Sequence, residues 1–110
     1  MKDLTKIEEV LLVAIWQLKE NAYGVKIRQH VSKVVRRELT YGHLYSVLNQ
    51  LVTKKYVMKS MGQMSAKRLG RPRIYYSVSS EGLMALRAAR EMSERLWSGI
   101  SRYSLENNKN

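Results

Sequence analysis

Thr40-Tyr41-Gly42-His43-Leu44-Tyr45-Ser46-Val47-Leu48-Asn49-Gln50-Leu51-Val52-Thr53, followed by Lys54-Lys55-Tyr56-Val57-Met58, sets two hydrophobic periods side by side. Leu44, Val47, Leu48 and Leu51 recur at i, i+3, i+4 and i+7. That spacing predicts a helix from about Tyr41 to Thr53 with Thr40 as its N-cap. Past Lys54-Lys55 the helical period stops, and Tyr56-Val57-Met58 has the β-branched and aromatic character of a strand. The face opposite the leucines carries Gly42, Ser46, Asn49 and Thr53, flanked by His43, Tyr45 and Gln50. This face is polar yet uncharged, and Gly42 lets another backbone come close.

Upstream, Tyr23-Gly24 opens a second helix in which Val25, Ile27, Val31 and Val34 are expected to face inward, and Lys26, Arg28, Gln29 and Lys33 outward. Further back, Thr5 and Glu8 stand three apart behind Leu4, the pattern of a capping box. The helix they start carries Ile7, an unbroken apolar run from Val10 to Trp16, and Leu18. A single small domain buries one stripe of a helix, so the excess predicts a second burial partner, another subunit. Asn21-Ala22 ends that helix. Downstream, Arg73-Ile74-Tyr75-Tyr76-Ser77-Val78 reads as a second strand, joined to the first through Met64 to Pro72, where Gly70 and Pro72 mark a turn. Ser79 caps a last helix predicted from about Ser80 to Tyr103, and Glu106 to Asn110 are expected to fray. The order helix, helix, helix, strand, basic loop, strand, long helix describes a mainly α chain with a small β wing. The expected organisation is a winged helix–turn–helix domain over residues 1–79, a dimerisation helix over 80–104 and a disordered tail over 105–110.

The net charge of +11 is unevenly placed. Between Leu39 and Ser80 there is no Asp or Glu, against Lys54, Lys55, Lys59, Lys67, Arg68, Arg71 and Arg73. A solvated surface intersperses both signs; a one-sign segment attracts a polyanion, and nucleic acid is the commonest. The uncharged helix face and the basic turn both fall inside this acid-free segment. With 45% hydrophobic residues the chain can bury a core, and with no cysteine it has neither disulfides nor thiolate chemistry. Met1-Lys2-Asp3-Leu4 does not read as a signal peptide, and the apolar run from Val10 to Trp16 is far short of the roughly 20 residues a membrane span needs. The expectation is a soluble, cytoplasmic protein without a membrane partner.

Several strings together resemble the PadR-like family of winged-helix transcriptional regulators. They are Tyr23-Gly24-Val25-Lys26-Ile27, Gly42-His43-Leu44-Tyr45-Ser46-Val47-Leu48, Leu51 with Lys55-Tyr56-Val57, Gly70-Arg71-Pro72-Arg73-Ile74-Tyr75-Tyr76 and Ser79-Ser80-Glu81-Gly82. Their order and spacing extend over residues 5 to about 100, and the length is similar to that of the short subfamily with one C-terminal dimerisation helix. The resemblance implies a homodimeric repressor on a roughly palindromic double-stranded operator, sometimes released by a small molecule.

On this reading Thr40, Tyr41, Gly42, His43, Tyr45, Ser46 and Asn49 present the third helix to the major groove. Asn49 can bridge adenine N6 and N7, Ser46 and His43 can donate or accept, and Tyr45 can reach a phosphate or a thymine methyl. No arginine lies on this face, which predicts an A·T-leaning half-site. Lys67, Arg68, Arg71 and Arg73 on the wing, Lys54 and Lys55, and the helix start at Tyr23 are candidate phosphate contacts. Leu86, Ala89, Ser93, Leu96, Ile100 and Tyr103 alternate spacings of three and four, a short heptad seam expected to pack on the first helix of a partner, through Leu12 and Trp16. Trp97 and Trp16 are candidates to line a pocket between subunits for a small planar effector. No catalytic constellation, cofactor motif or metal-ligand cluster stands in the sequence: the lone Asp3 and the separated His30 and His43 lack partners. A winged-helix module for protein contact and sequence-independent binding of nucleic acid remain as alternatives.

Overall fold

The computed structural model describes residues 3–62 and 72–107. Five helices and a two-stranded antiparallel sheet follow one another as α1 (Lys6–Leu18), α2 (Gly24–Val35), α3 (Tyr41–Thr53), β1 (Val57–Met61), β2 (Ile74–Val78), α4 (Ser80–Leu96) and α5 (Arg102–Glu106), with a 3-10 turn at Lys19–Asn21. This is a winged helix–turn–helix with the strands as the wing, as expected.

The core forms where the three helical stripes meet. Leu11, Leu12 and Ile15 of α1, Ile27 and Val31 of α2, and Leu44, Leu48 and Leu51 of α3 are fully enclosed, with Tyr56, Val57 and Tyr76 closing the wing's base. The capping box at the head of α1 is present: Glu8 accepts from the Thr5 amide at 2.8 Å while its own amide donates to Thr5 Oγ1 at 3.3 Å. Thr40 caps α3, whose bounds match those read from its period. In α2 only half the valine pattern points inward. Val25 and Val34 are exposed: Val25 lies on the side of the helix away from Ile27 and Val31, while Val34 shares their stripe but stands in the last turn of α2.

In the wing, Val57 pairs with Val78 and Met61 with Ile74, so β1 runs three residues past the predicted Met58. The far edge of β2 is covered by the chain entering α2: Tyr23 bridges Tyr75, and the Tyr76 amide donates to the Ala22 carbonyl at 2.8 Å. An otherwise open edge is thereby paired. Ser79 then joins wing to α4. Its hydroxyl donates to the Lys55 carbonyl at 2.6 Å and accepts from the Gly82 amide at 3.0 Å, capping the helix.

The last helix differs from expectation. It ends at Leu96, not near Tyr103; Gly99 follows at φ +79°, and Ser101 caps the separate α5. A glycine takes the left-handed conformation without a Cβ clash and so terminates helices. The heptad spacing therefore runs across a break in the helix, and Ile100 and Tyr103 do not continue the seam of α4. Leu105 and Glu106, expected in a disordered tail, belong to α5. Only Gly82 and Ala85 of α4 are buried, and every described residue from Arg90 onward is exposed. The helix thus leaves the domain as an arm. The radius of gyration of 16.7 Å and the 60 Å long axis exceed the roughly 13 Å radius of a compact chain this size. No described helix is long and apolar enough to cross a membrane.

Candidate nucleic-acid interface

Because α3 puts Leu44, Val47, Leu48 and Leu51 into the core, its other face is free. Thr40, Tyr41, Gly42, His43, Tyr45, Ser46 and Asn49 are all exposed, so the predicted reading residues share one surface. They divide into two groups. The side chains of His43, Ser46 and Asn49 make no hydrogen bond to any described residue and are available to an outside partner, whereas Tyr41 and Tyr45 are engaged within the molecule. Their rings stack with centroids 6.3 Å apart and planes inclined by 19°, and the Tyr45 hydroxyl lies where a Cβ on Gly24 would be. Tyr45 therefore forms a wall against α2 while 42% of it remains exposed.

That wall bounds a cleft of about 270 Å³ between α2, α3 and β2, closed on its other sides by Tyr23, Val25, Arg73 and Ile74. The Arg73 guanidinium sits 3.9 Å over the Tyr23 ring, and Tyr23 meets Tyr75 edge to face at 5.7 Å. Two predicted phosphate candidates, Tyr23 and Arg73, are thus held together, with Arg73 oriented by stacking and paired with no carboxylate among the described residues. Burial pushes the Tyr76 phenol above its ordinary value, and the neighbouring Tyr45 phenol adds to the shift.

Lysines 54 and 55 part company. Lys55 is exposed, with left-handed backbone at φ 67° as the chain turns from α3 into β1. Lys54 is turned inward, correcting its assignment as a phosphate contact. Its Nζ lies 2.7 Å from Glu8 Oε1 and 3.1 Å from the Asp3 carbonyl. Burial by itself would raise the Glu8 carboxyl, which is 1% exposed, but the Lys54 ammonium and the Thr5 amide outweigh burial and hold it below its ordinary value of 4.5. The sequence hid this pair because its members are far apart along the chain. Lys67, Arg68 and Arg71 lie outside the described residues.

A further residue was misread from sequence. Arg28, expected to face solvent, packs with its guanidinium 4.5 Å over the Tyr41 ring and donates from Nε to the Leu39 carbonyl. The signal was available in the spacing of four that places Gly24, Arg28 and Ser32 along one side of α2.

The residues expected at a subunit interface also separate. Leu12 is sealed in its own protomer's core and has no surface for a partner, a correction that follows from α1 lying at the centre of the domain. Leu86 is partly buried against the same core. Ser93, Leu96, Trp97 and Ile100 are exposed, and Trp16 on α1 is 54% exposed. Ala89, Met92, Leu96 and Trp97 line a groove of about 460 Å³ between α4 and the start of α1. Trp16 does not line this groove.

The model of the transcriptional regulator PadR-like family matches residues 11–88 of the chain. No curated protein matches it. Among solved structures, a PadR family transcription regulator from Clostridium difficile is 26% identical, with a TM-score of 0.62, 90% of this chain covered and 95% of that one. A PadR-like transcription factor from Bacteroides fragilis is 25% identical, with a TM-score of 0.68 and coverage of 86% and 85%. A PadR-like transcriptional regulator from Bacillus cereus is 21% identical, with a TM-score of 0.72 and coverage of 94% and 93%, a likeness of fold. The matched segment runs from the middle of α1, through α3 and the wing, into α4: this chain belongs to the PadR-like family of transcriptional regulators.

Proposed function

We propose that the protein regulates transcription by binding a specific double-stranded DNA operator, inserting α3 into the major groove while the wing grips the backbone. The observation that carries this reading is the pairing of a free, uncharged α3 face with an acid-free basic segment. Neutral hydrogen-bonding groups match base edges, and unopposed cations match phosphates. Asn49, Ser46 and His43 read bases, with adenine the natural partner of Asn49 and A·T-leaning half-sites as the result. Lys55, Arg73 and the wing residues Lys67, Arg68 and Arg71 contact phosphates, with the α2 N-terminus at Tyr23 beside them.

The exposed apolar arm of α4 and α5 supports a homodimer. A twofold pair would set two reading helices about one DNA turn apart, roughly 34–36 Å, over a palindromic operator. Repression by occlusion and release by a small planar ligand seated at the Trp97 groove complete the reading. Titration of the tryptophan fluorescence with planar dyes checks the ligand, and an absence of quenching by all of them removes it.

The deciding experiment is selection from a random duplex pool, followed by competition against bulk DNA over a salt series. The expected outcome is a selected duplex preferred by about 10³-fold or more, with affinity falling as salt is added. Absence of preference, or affinity indifferent to salt, sinks the proposal; G·C-rich half-sites sink the A·T assignment alone.

A further inference from the structure

Gly24, Arg28 and Ser32 follow one another at intervals of four, and so lie along one side of α2. All three work on the turn and the helix that come next. Ser32 Oγ accepts from the Leu39 amide at 3.1 Å, while Arg28 Nε donates to the Leu39 carbonyl at 2.5 Å, so that both polar groups of one turn residue are held by α2 side chains. The Arg28 guanidinium also faces Glu38 at 3.6 Å and lies over the Tyr41 ring. Tyr41 stacks on Tyr45, one turn further along α3, and the Tyr45 hydroxyl occupies the space left open at Gly24. Two residues four apart on α2 thus bracket two residues four apart on α3.

We infer that Arg28 is a positioning residue that sets operator choice by fixing the rotation of α3, and that it is not a contact to the DNA backbone; this rests on the DNA-binding reading above. By charge alone an arginine on a helix–turn–helix would be given to a phosphate. Its guanidinium is instead committed to a carbonyl, a carboxylate and a ring, with only a quarter of the side chain exposed. The leverage is geometric. Outward side chains stand about 5 Å from a helix axis, so a rotation of about 20° carries their tips about 2 Å, more than a base-edge hydrogen bond tolerates. His43, Ser46 and Asn49 depend on that rotation. A phosphate contact, being electrostatic and undirected, does not.

The experiment uses the full chain, with the duplex that the wild-type protein selects and an unrelated duplex, each over a salt series. For Arg28→Met, which keeps the apolar stem, affinity for the selected duplex is expected to fall about three- to tenfold. Affinity for the unrelated duplex and the slope of log affinity against log salt should stay unchanged. Arg28→Lys should fail to restore selection, since an ammonium lacks the planar fork. Equal losses on both duplexes, a slope flattened by about 0.9, or full rescue by lysine would overturn the inference and make Arg28 a phosphate contact. A second arm needs no DNA. In urea unfolding, Arg28→Met and Tyr41→Leu should couple, the double variant departing from additivity by about two- to fivefold in the unfolding constant. Additivity overturns the bracket itself. A wild-type protein that selects no duplex overturns the DNA-binding reading, and the claim on operator choice with it.

Discussion

Asn49 and Glu8 are polar residues with opposite fates, one left free on the surface and the other enclosed. Asn49 has no partner among the described residues, so removing it should leave the fold intact. Asn49→Ala is expected to cost about 1–3 kcal/mol of affinity for the selected duplex without changing the salt slope; an undiminished affinity would take Asn49 off the list of base readers. Glu8 ties the head of α1 to the end of α3 through Lys54. Because its folded carboxyl titrates below its ordinary value of 4.5, the ion pair contributes stability above that value. The contribution is lost as pH falls through the folded value. Glu8→Gln, which keeps the capping box, should therefore cost about 1–2 kcal/mol near neutral pH. Its gap from wild type in urea midpoint should close as pH is lowered below 4.5 and through the folded carboxyl's titration. A gap independent of pH would show that packing, not charge, is what Glu8 supplies.

At the scale of the element, the junction between wing and α4 is the least forgiving place in the fold. A Cβ at Gly82 would overlap the Tyr56 carbonyl oxygen and come 2.8 Å from Val78 Cγ1. Backbone on one side and a packed valine on the other leave nothing flexible to give way. Gly82→Ala is expected to destabilise by about 2–3 kcal/mol in urea unfolding, whereas alanine at Gly42, where nothing lies within 4 Å, should be tolerated. Equal tolerance at both would refute the close approach. Ser79 belongs to the same junction, since one hydroxyl caps α4 and holds the Lys55 carbonyl. The direction in which the arm leaves the domain is set here.

At the scale of the whole molecule, an arm carrying exposed Met92, Leu96, Trp97 and Ile100 is unsatisfied in one copy. Exposed apolar side chains gathered along one groove, as Met92, Leu96 and Trp97 are, suit an interaction site. On the homodimer proposed above, Leu96→Arg is expected to leave the helical circular dichroism unchanged and to shift the protein to monomer in sedimentation at micromolar concentration. Its affinity for a palindromic duplex should fall about a hundredfold or more through lost avidity. A variant that stayed dimeric would move the interface elsewhere on the molecule.

Local chemistry alone sufficed for much of this. Thr5 with Glu8, Thr40 with its leucine stripe, and Ser79 announce helix starts because caps and 3.6-residue periods are made by neighbours in the chain. The free face of α3 was legible for the same reason: the stripe that is buried dictates the one that is not. What required the tertiary structure were relations between residues distant in sequence. Lys54 looked like a phosphate contact until Glu8 proved to lie beneath it, and Arg28 looked solvated until Tyr41 lay under its guanidinium. Leu12 looked like surplus apolar surface until the other helices enclosed α1. A charge or an apolar side chain has no fixed role of its own; burial and the nearest opposite charge, both supplied by chain folding back from far away, assign it.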